Sequence, residues 1–301
     1  MSKINNRKEG QSYYSLMPFV PGMFEFYYSA HPENDPIAER PMADLFESYL
    51  QGTLVQEVRS GTPWARVLPA VQPVEQLVEV NENIDVEPKI LPFEQAKLVL
   101  QACRSFAVMP CACRTHGKYL GRDVSKWPMD VCIQLNLWAD YIVDRGIGRS
   151  IGMEEAFQIL KDSEKAGLVH TTTNSFKTTF ICNCDPENCL ILSGYIRGRY
   201  LATVAKSNFL PSINAETCKK CETCMKNCPA RALFHHFPHD HELNGNFMAV
   251  RDDLCIGCGI CAANCEQGVI TLKKVRNATI AEGIAEMWQN FKAQKRGLHG
   301  I

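Results

Sequence analysis

No apolar run in the 301-residue chain approaches the ~20 residues that a membrane-spanning helix requires. The amino-terminal stretch Met1–Gln11 is polar, carries Lys3, Arg7 and Lys8, and lacks the apolar core of a secretory signal. A cytoplasmic location is the expectation. There is no excess of either charge: 32 basic and 33 acidic side chains leave a net charge of −1, so no global field recruits nucleic acid or anionic lipid. Neither a Gly-rich dinucleotide fingerprint nor a P-loop is present, which argues against an autonomous NAD, flavin or ATP enzyme.

Cysteine, by contrast, is abundant, with fifteen residues. In a reducing compartment so many thiols point to metal ligands or buried side chains rather than disulfides. Eight of them form two runs of the same spacing: Cys218-x2-Cys221-x2-Cys224-x3-Cys228 and Cys255-x2-Cys258-x2-Cys261-x3-Cys265. Each cysteine of the first run recurs 37 positions later. Zinc sites usually draw on two separated C-x2-C pairs, not four cysteines within eleven residues. This C-x2-C-x2-C-x3-C run is that of two-cluster ferredoxins, in which the fourth cysteine of each run ligates the other cluster. The assignment that follows is Cys218, Cys221, Cys224 and Cys265 for one [4Fe–4S] cluster (A), and Cys255, Cys258, Cys261 and Cys228 for the second (B). Apolar side chains at Ile213, Leu233, Val250, Ile256, Ile260, Val269 and Ile270 are placed to shield them.

The remaining chain reads as follows. Tyr13–Leu16 suggests a strand, Pro21-Gly22 a turn, and 41–51 a helix with Leu45, Phe46, Tyr49 and Leu50 inward. Five prolines between 60 and 92 exclude long helices there, leaving short strands at Ala65–Leu68 and Leu77–Val80. Helical periodicity is expected over 93–106, 130–143 and 190–205. Ser150 is the expected N-cap of a helix ended by Gly167. Strands at 168–173 and 176–182, turning at Asn174-Ser175, complete a winged-helix-like arrangement.

Two C-x-C segments, Cys111-x-Cys113 and Cys182-x-Cys184-x4-Cys189, lie at element ends. They could hold a third metal or cluster, act as redox-active thiols, or be structural. His116 and Cys132 are possible companions, although Cys103 and Cys132 read more simply as small core residues. A His-rich tract, with His235, His236, His239 and His241, reads as an exposed insertion rather than a metal site. The tail residues Ile280, Ile284, Met287, Trp288 and Phe291 share one helical face.

Residues 211–275 resemble a bacterial-type two-[4Fe–4S] ferredoxin domain. The segments Thr62–Arg66, Pro110–Arg114, Ala166–His170 and Ile181–Cys184 resemble large ferredoxin-domain iron–sulfur proteins of anaerobic bacteria and archaea. In that family Met17–Gly22 usually follows a leading module, so the resemblance implies its absence here. Two departures stand out: Glu266 replaces the usual proline, and Asp185–Asn188 stands where relatives tend to hold further cysteines.

The expected fold class is α+β: a mainly helical, winged-helix-like N-terminal domain followed by a ferredoxin-like domain. The expected division is a loop-rich region at 1–91, a helical cysteine-containing domain at 92–210, the ferredoxin domain at 211–275 and an amphipathic helix at 276–301. The expected function is non-catalytic electron transfer, with a redox protein or a larger anaerobic oxidoreductase complex as partner. The alternatives are an enzyme with a site near Cys111, Cys113, Cys182 and Cys184, and a redox-sensing regulator.

Overall fold

The computed structural model describes residues 2–6, 11–15, 22–54, 62–71, 94, 96–198, 204–236, 247–278 and 280–298. Parts of the expected Leu77–Val80 strand, the Met17–Gly22 motif and the His239/His241 tract lie outside those residues.

Strands β1 (Ser2–Asn6) and β2 (Gln11–Ser15) form an antiparallel pair. Helices α1 (Phe24–Ala30) and α2 (Pro36–Tyr49) follow, and α2 runs into a π-helical turn at Leu50–Leu54. The second helix starts earlier than its apolar pattern suggests. Asp35 caps it by accepting from the Ile37 N–H at 3.0 Å, and Pro36 occupies the first turn, where no N–H is needed. Pro41 is therefore internal, and Ala43 and Leu50 are buried while Leu45 is 66% exposed.

The central element is a seven-stranded sheet rather than a helical bundle. Its strands are β3 (Ala65–Val67), β4 (Phe106–Pro110), β5 (Asp130–Leu135), β6 (Arg149–Ile151), β7 (Val169–Thr173), β9 (Phe180–Cys184) and β10 (Val204–Ala205). The order is β10-β3-β7-β9-β5-β4-β6, antiparallel throughout except for β10 on β3. The short β8 (Ser175–Lys177) leaves this sheet to pair with β15 (Ala281–Gly283). The helix-and-hairpin segment thus exists, but β7 and β9 are interior strands with neighbours on both sides.

Two expected helices, 130–143 and 93–106, change for one physical reason: burial on both faces of a sheet erases period-2 alternation, so strands mimic helical patterns. Residues 130–143 divide into β5, buried from Val131 to Leu135, and α5 (Leu137–Asp144), with Asn136 at φ +54° between them. The 93–106 pattern yields only α3 (Ala96–Gln101), and Phe106 belongs to β4. Ser150 pairs with Ala107 in the sheet, so Gly152 takes the N-cap of α6 (Met153–Lys165). That helix ends in a Schellman motif: Gly167 is at φ +76°, its N–H reaches Glu164 O, and Leu168 N–H reaches Ser163 O. Helix α4 (Ala112–Tyr119) follows β4, and α7 (Leu190–Ile196) stops at Arg197, short of the expected 205.

The C-terminal unit pairs β11 (Phe209–Ile213) with β14 (Ile270–Lys274), and β12 (Leu233–His236) with β13 (Phe247–Val250). Two one-turn helices, α8 (Thr223–Lys226) and α9 (Ile260–Ala263), lie 37 residues apart and touch. The unit is tied to the central sheet at several points. Ala70 N–H donates to Cys258 O at 2.9 Å, Asn264 Nδ2 to Glu164 O at 2.8 Å, and buried Lys274 pairs with buried Glu94 at 2.8 Å. Helix α10 (Ile284–Leu298) packs back through buried Met287 and Phe291, with Trp288 stacked on Trp64 at 6.1 Å. Among the described residues, no helix is long and apolar enough to cross a membrane.

Candidate functional site

The eight cysteines of the repeat fall into two spatial sets. The charges that press on the Cys224 thiol are those of Cys218, Cys221 and Cys265. Cys258 is flanked by Cys228 and Cys255, and Cys261 faces Cys258, Cys228 and Cys255 and, more weakly, Cys224. Each set therefore takes three thiols from one loop and one from the other half of the repeat. Burial raises the Cys224, Cys255, Cys258 and Cys261 thiols above their ordinary range. Cys221 is exposed, and its hydrogen bond with Thr223 lowers it instead.

These surroundings fit thiolate-bound clusters. Backbone N–H groups point at sulfur: Met225 at Cys224, Gly257 at Cys255, Ile260 at Cys258, and Ala232 at Cys228 over 3.2 Å. Leu233, Met248 and Ile270 pack with Cys218, Cys224, Cys265, Cys228 and Cys261, and Ile256 and Ile260 pack with Cys258. Such donors and such dryness are what set a cluster's potential. Glu266 is exposed beside Cys221, so water screens its carboxylate. His235 binds Glu222 Oε1 at 2.8 Å on β12.

A second cysteine group forms under the central sheet. Cys111 is the N-cap residue of α4, Cys113 lies in its first turn, Cys182 and Cys184 sit on β9, and Cys189 is the N-cap residue of α7. Their thiols are neighbours in series, each acting on the titration of the next: Cys111 on Cys113, Cys113 on Cys189, Cys189 on Cys184, and Cys184 on Cys182. Cys132, across the β5–β9 ladder, adds a sixth, with its Sγ 3.6 Å from that of Cys182. Cys132 is buried in an apolar core with Ala107, Met109, Ala139 and Ile142, as a small core residue should be, but on a strand rather than a helix and facing that neighbour. Cys103 does stand apart, donating to Val99 O at 3.2 Å and accepting from Asn136 Nδ2 at 3.4 Å. His116 is no companion of the group: its ring packs on Phe24 and Tyr28, and Nε2 faces Ala43 O at 3.0 Å.

The turn Asp185–Asn188 presents Cys189. Asp185 Oδ1 accepts from the N–H groups of Glu187 (2.9 Å) and Asn188 (2.6 Å), while Oδ2 accepts from Arg114 Nη1 at 3.2 Å. The Arg114 side chain is wholly buried, and its Nε and Nη2 have no hydrogen-bond partner among the described residues. Burial alone would lower its pKa, but the nearby Cys111, Asp185 and Cys184 outweigh that and raise it. Hydrogen bonds from Cys182, then Cys189, then Thr171 (Oγ1–Sγ 3.0 Å) bring the Cys184 thiol down to about 5, while Cys111 and Cys182 are held up. The thiols border a cavity of about 60 Å³ that also exposes Trp64, Val131, Leu190 and Glu25. Glu25 is partly exposed along its length, but enclosure of its carboxyl raises the pKa to about 7, against the pull of the Gly22 N–H.

Among the described residues, no three His, Cys, Asp or Glu side chains meet as ligands of a single metal ion. This applies to both cysteine groups. A cubane, however, distributes its thiolates over four separate irons. Under the sheet one thiol pair is close, Cys132 Sγ and Cys182 Sγ at 3.6 Å.

Cysteine sets of this kind on a repeated unit mark an iron–sulfur protein. The likeness extends to sequence. Over 68 residues the chain is 40% identical to the pyruvate synthase subunit PorD of Methanocaldococcus jannaschii, a match covering 23% of this chain and 69% of that protein. Through that segment the chain belongs to the family of this subunit. A comparison with protein-family models gave no match.

Proposed function

We propose that the chain is an electron-transfer protein, or the electron-transfer subunit of a larger oxidoreductase, relaying single electrons through two [4Fe–4S] clusters. The observation that carries this reading is the sorting of eight cysteines into two sets of four, each spanning both halves of the repeat. Cys218, Cys221, Cys224 and Cys265 would hold one cluster, and Cys255, Cys258, Cys261 and Cys228 the other. When bound, each supplies a one-electron redox couple. The backbone N–H groups of Met225, Gly257 and Ile260 stabilise sulfur charge, and the apolar shell excludes water. Cys221 is exposed whereas Cys255, Cys258 and Cys261 are buried, so electrons exchange with a partner at the first set and pass inward to the second. A partner of the oxidoreductase class follows from the name of the matched subunit. The test is a spectroelectrochemical titration of the anaerobically purified protein. Reversible one-electron waves, with return of the electrons to a soluble acceptor, are expected. A protein that takes up no electrons reversibly would overturn the proposal.

A further inference from the structure

The buried thiol group is placed next to the second cluster site. Cys184 and Cys189 share one apolar core with Ile256, Cys258 and Ile260, and Cys182 packs against it. The hydrogen bond from Ala70 N–H to Cys258 O fixes that contact. The six thiols outnumber the needs of packing, and they adjoin a buried guanidinium with two unpartnered nitrogens. That is the environment of a group that carries negative charge for part of its working cycle.

We infer that Cys184 and Cys189 form a reversible disulfide under the sheet, a two-electron store filled and emptied through the adjacent cluster site. The inference rests on the electron-relay reading. In the reducing direction the S–S bond breaks, two electrons arrive singly from the two cluster sites, and two protons complete the thiols. In the other direction two thiols lose two electrons and two protons, and the S–S bond forms. Two one-electron carriers hold the number of electrons that one disulfide requires. The electrons ultimately leave to an oxidised partner docked on the chain.

Local geometry selects this pair. Asp185 folds the four-residue turn between them back on itself, and both side chains are buried in the same apolar core. The Leu192 N–H donates to Cys189 Sγ at 3.4 Å, and Thr171 Oγ1 lies 3.0 Å from Cys184 Sγ, so both sulfurs are held by a hydrogen bond. Arg114 compensates a thiolate at Cys184, and Cys113, a neighbour of Cys189, is positioned for exchange. Glu25 lines the same cavity and is suited to hold the proton near neutrality.

The experiment counts electrons and maps thiols. Anaerobic protein is oxidised with ferricyanide, then titrated with reduced methyl viologen, a one-electron donor, with iron measured on the same sample. About four electrons per chain are expected at about eight irons: two for the clusters and two for the disulfide. The Cys189→Ser variant should take up about two and keep its iron. Alkylation and peptide mapping should find Cys184 and Cys189 joined after ferricyanide and free after reduction. Uptake of about two electrons by the native protein, with all thiols alkylated, overturns the inference while leaving the relay intact. So does a bridge between any other pair, or iron near twelve, which would make the group a third cluster. Absence of iron together with an intact, dithiothreitol-reducible bridge would instead overturn the relay that feeds it.

Discussion

Glu222 and Gly259 hold the same left-handed backbone position 37 residues apart, at φ +63° and +74°. Two more pairs follow the same offset: Lys220 (φ +57°) with Gly257 (φ +70°), and Arg231 (φ +51°) with Gly268 (φ +63°). The repeat of cysteines is therefore a repeat of backbone shape. One half meets it with glycine and the other with side chains that favour this region poorly.

This asymmetry makes a stability prediction. Lys220→Gly removes an exposed side chain from a left-handed position and should stabilise the protein by roughly 0.5–1 kcal/mol. The reciprocal Gly257→Ala should cost about 2 kcal/mol or more, since its Cβ would collide with Ser207 Oγ and the Phe209 carbonyl. Thermal melting of both variants, under argon and with iron content matched, checks the pair.

Lys274 and Glu94 tie the C-terminal unit to the preceding part of the chain by an ion pair with both side chains almost fully buried. Lys274→Met would take away the cation hydrogen-bonded to the buried Glu94 carboxylate, which also accepts from Asn208 Nδ2 and interacts with the charge of buried Arg66. A loss of about 3–5 kcal/mol is expected, as for other buried pairs broken on one side. Denaturant unfolding measures it, and a loss below about 1 kcal/mol would show that the pair does not join the two parts.

Glu25 should make stability fall as pH rises. Its pKa is about 7 in the folded chain and near the model-compound 4.5 when unfolded, so the native state holds the proton more tightly between those values. Stability is then highest below about pH 4.5, declines up to about pH 7 and is level above it, with an upper bound of about 3 kcal/mol. Glu25→Gln should flatten this component. Melting curves of the two proteins at pH 5 and pH 8 compare it directly.

Exposure separates the two cluster sites. Cys221 is open to solvent, and Cys218 and Cys265 are half-buried, whereas Cys255, Cys258 and Cys261 are buried. A chelator should therefore remove iron in two phases, with roughly half lost first. Cys221→Ser should hasten the first phase and leave the second unchanged.

The repeat was legible because its spacing is local: six of the eight cysteines lie within two short loops, and the same offset of 37 recurs in the backbone at Lys220 and Gly257. The central sheet was less so. Val131–Leu135 is buried on both faces, and its continuous apolar run looks helical when joined to the true helix at Leu137–Asp144. That misreading hid Cys132, whose contact with Cys182 depends on a strand register 50 residues apart in sequence. The C-x-C segments did single out five of the six thiols, but nothing local reveals that Arg114 is buried beside them or that Glu25 lines their cavity.

Iron and acid-labile sulfide per chain after anaerobic purification, with EPR of the reduced protein, test the central claim most directly. About eight irons and eight sulfides with signals of reduced cubanes are expected for two [4Fe–4S] clusters. Fewer than about four irons after careful handling, with no such signal, would contradict it.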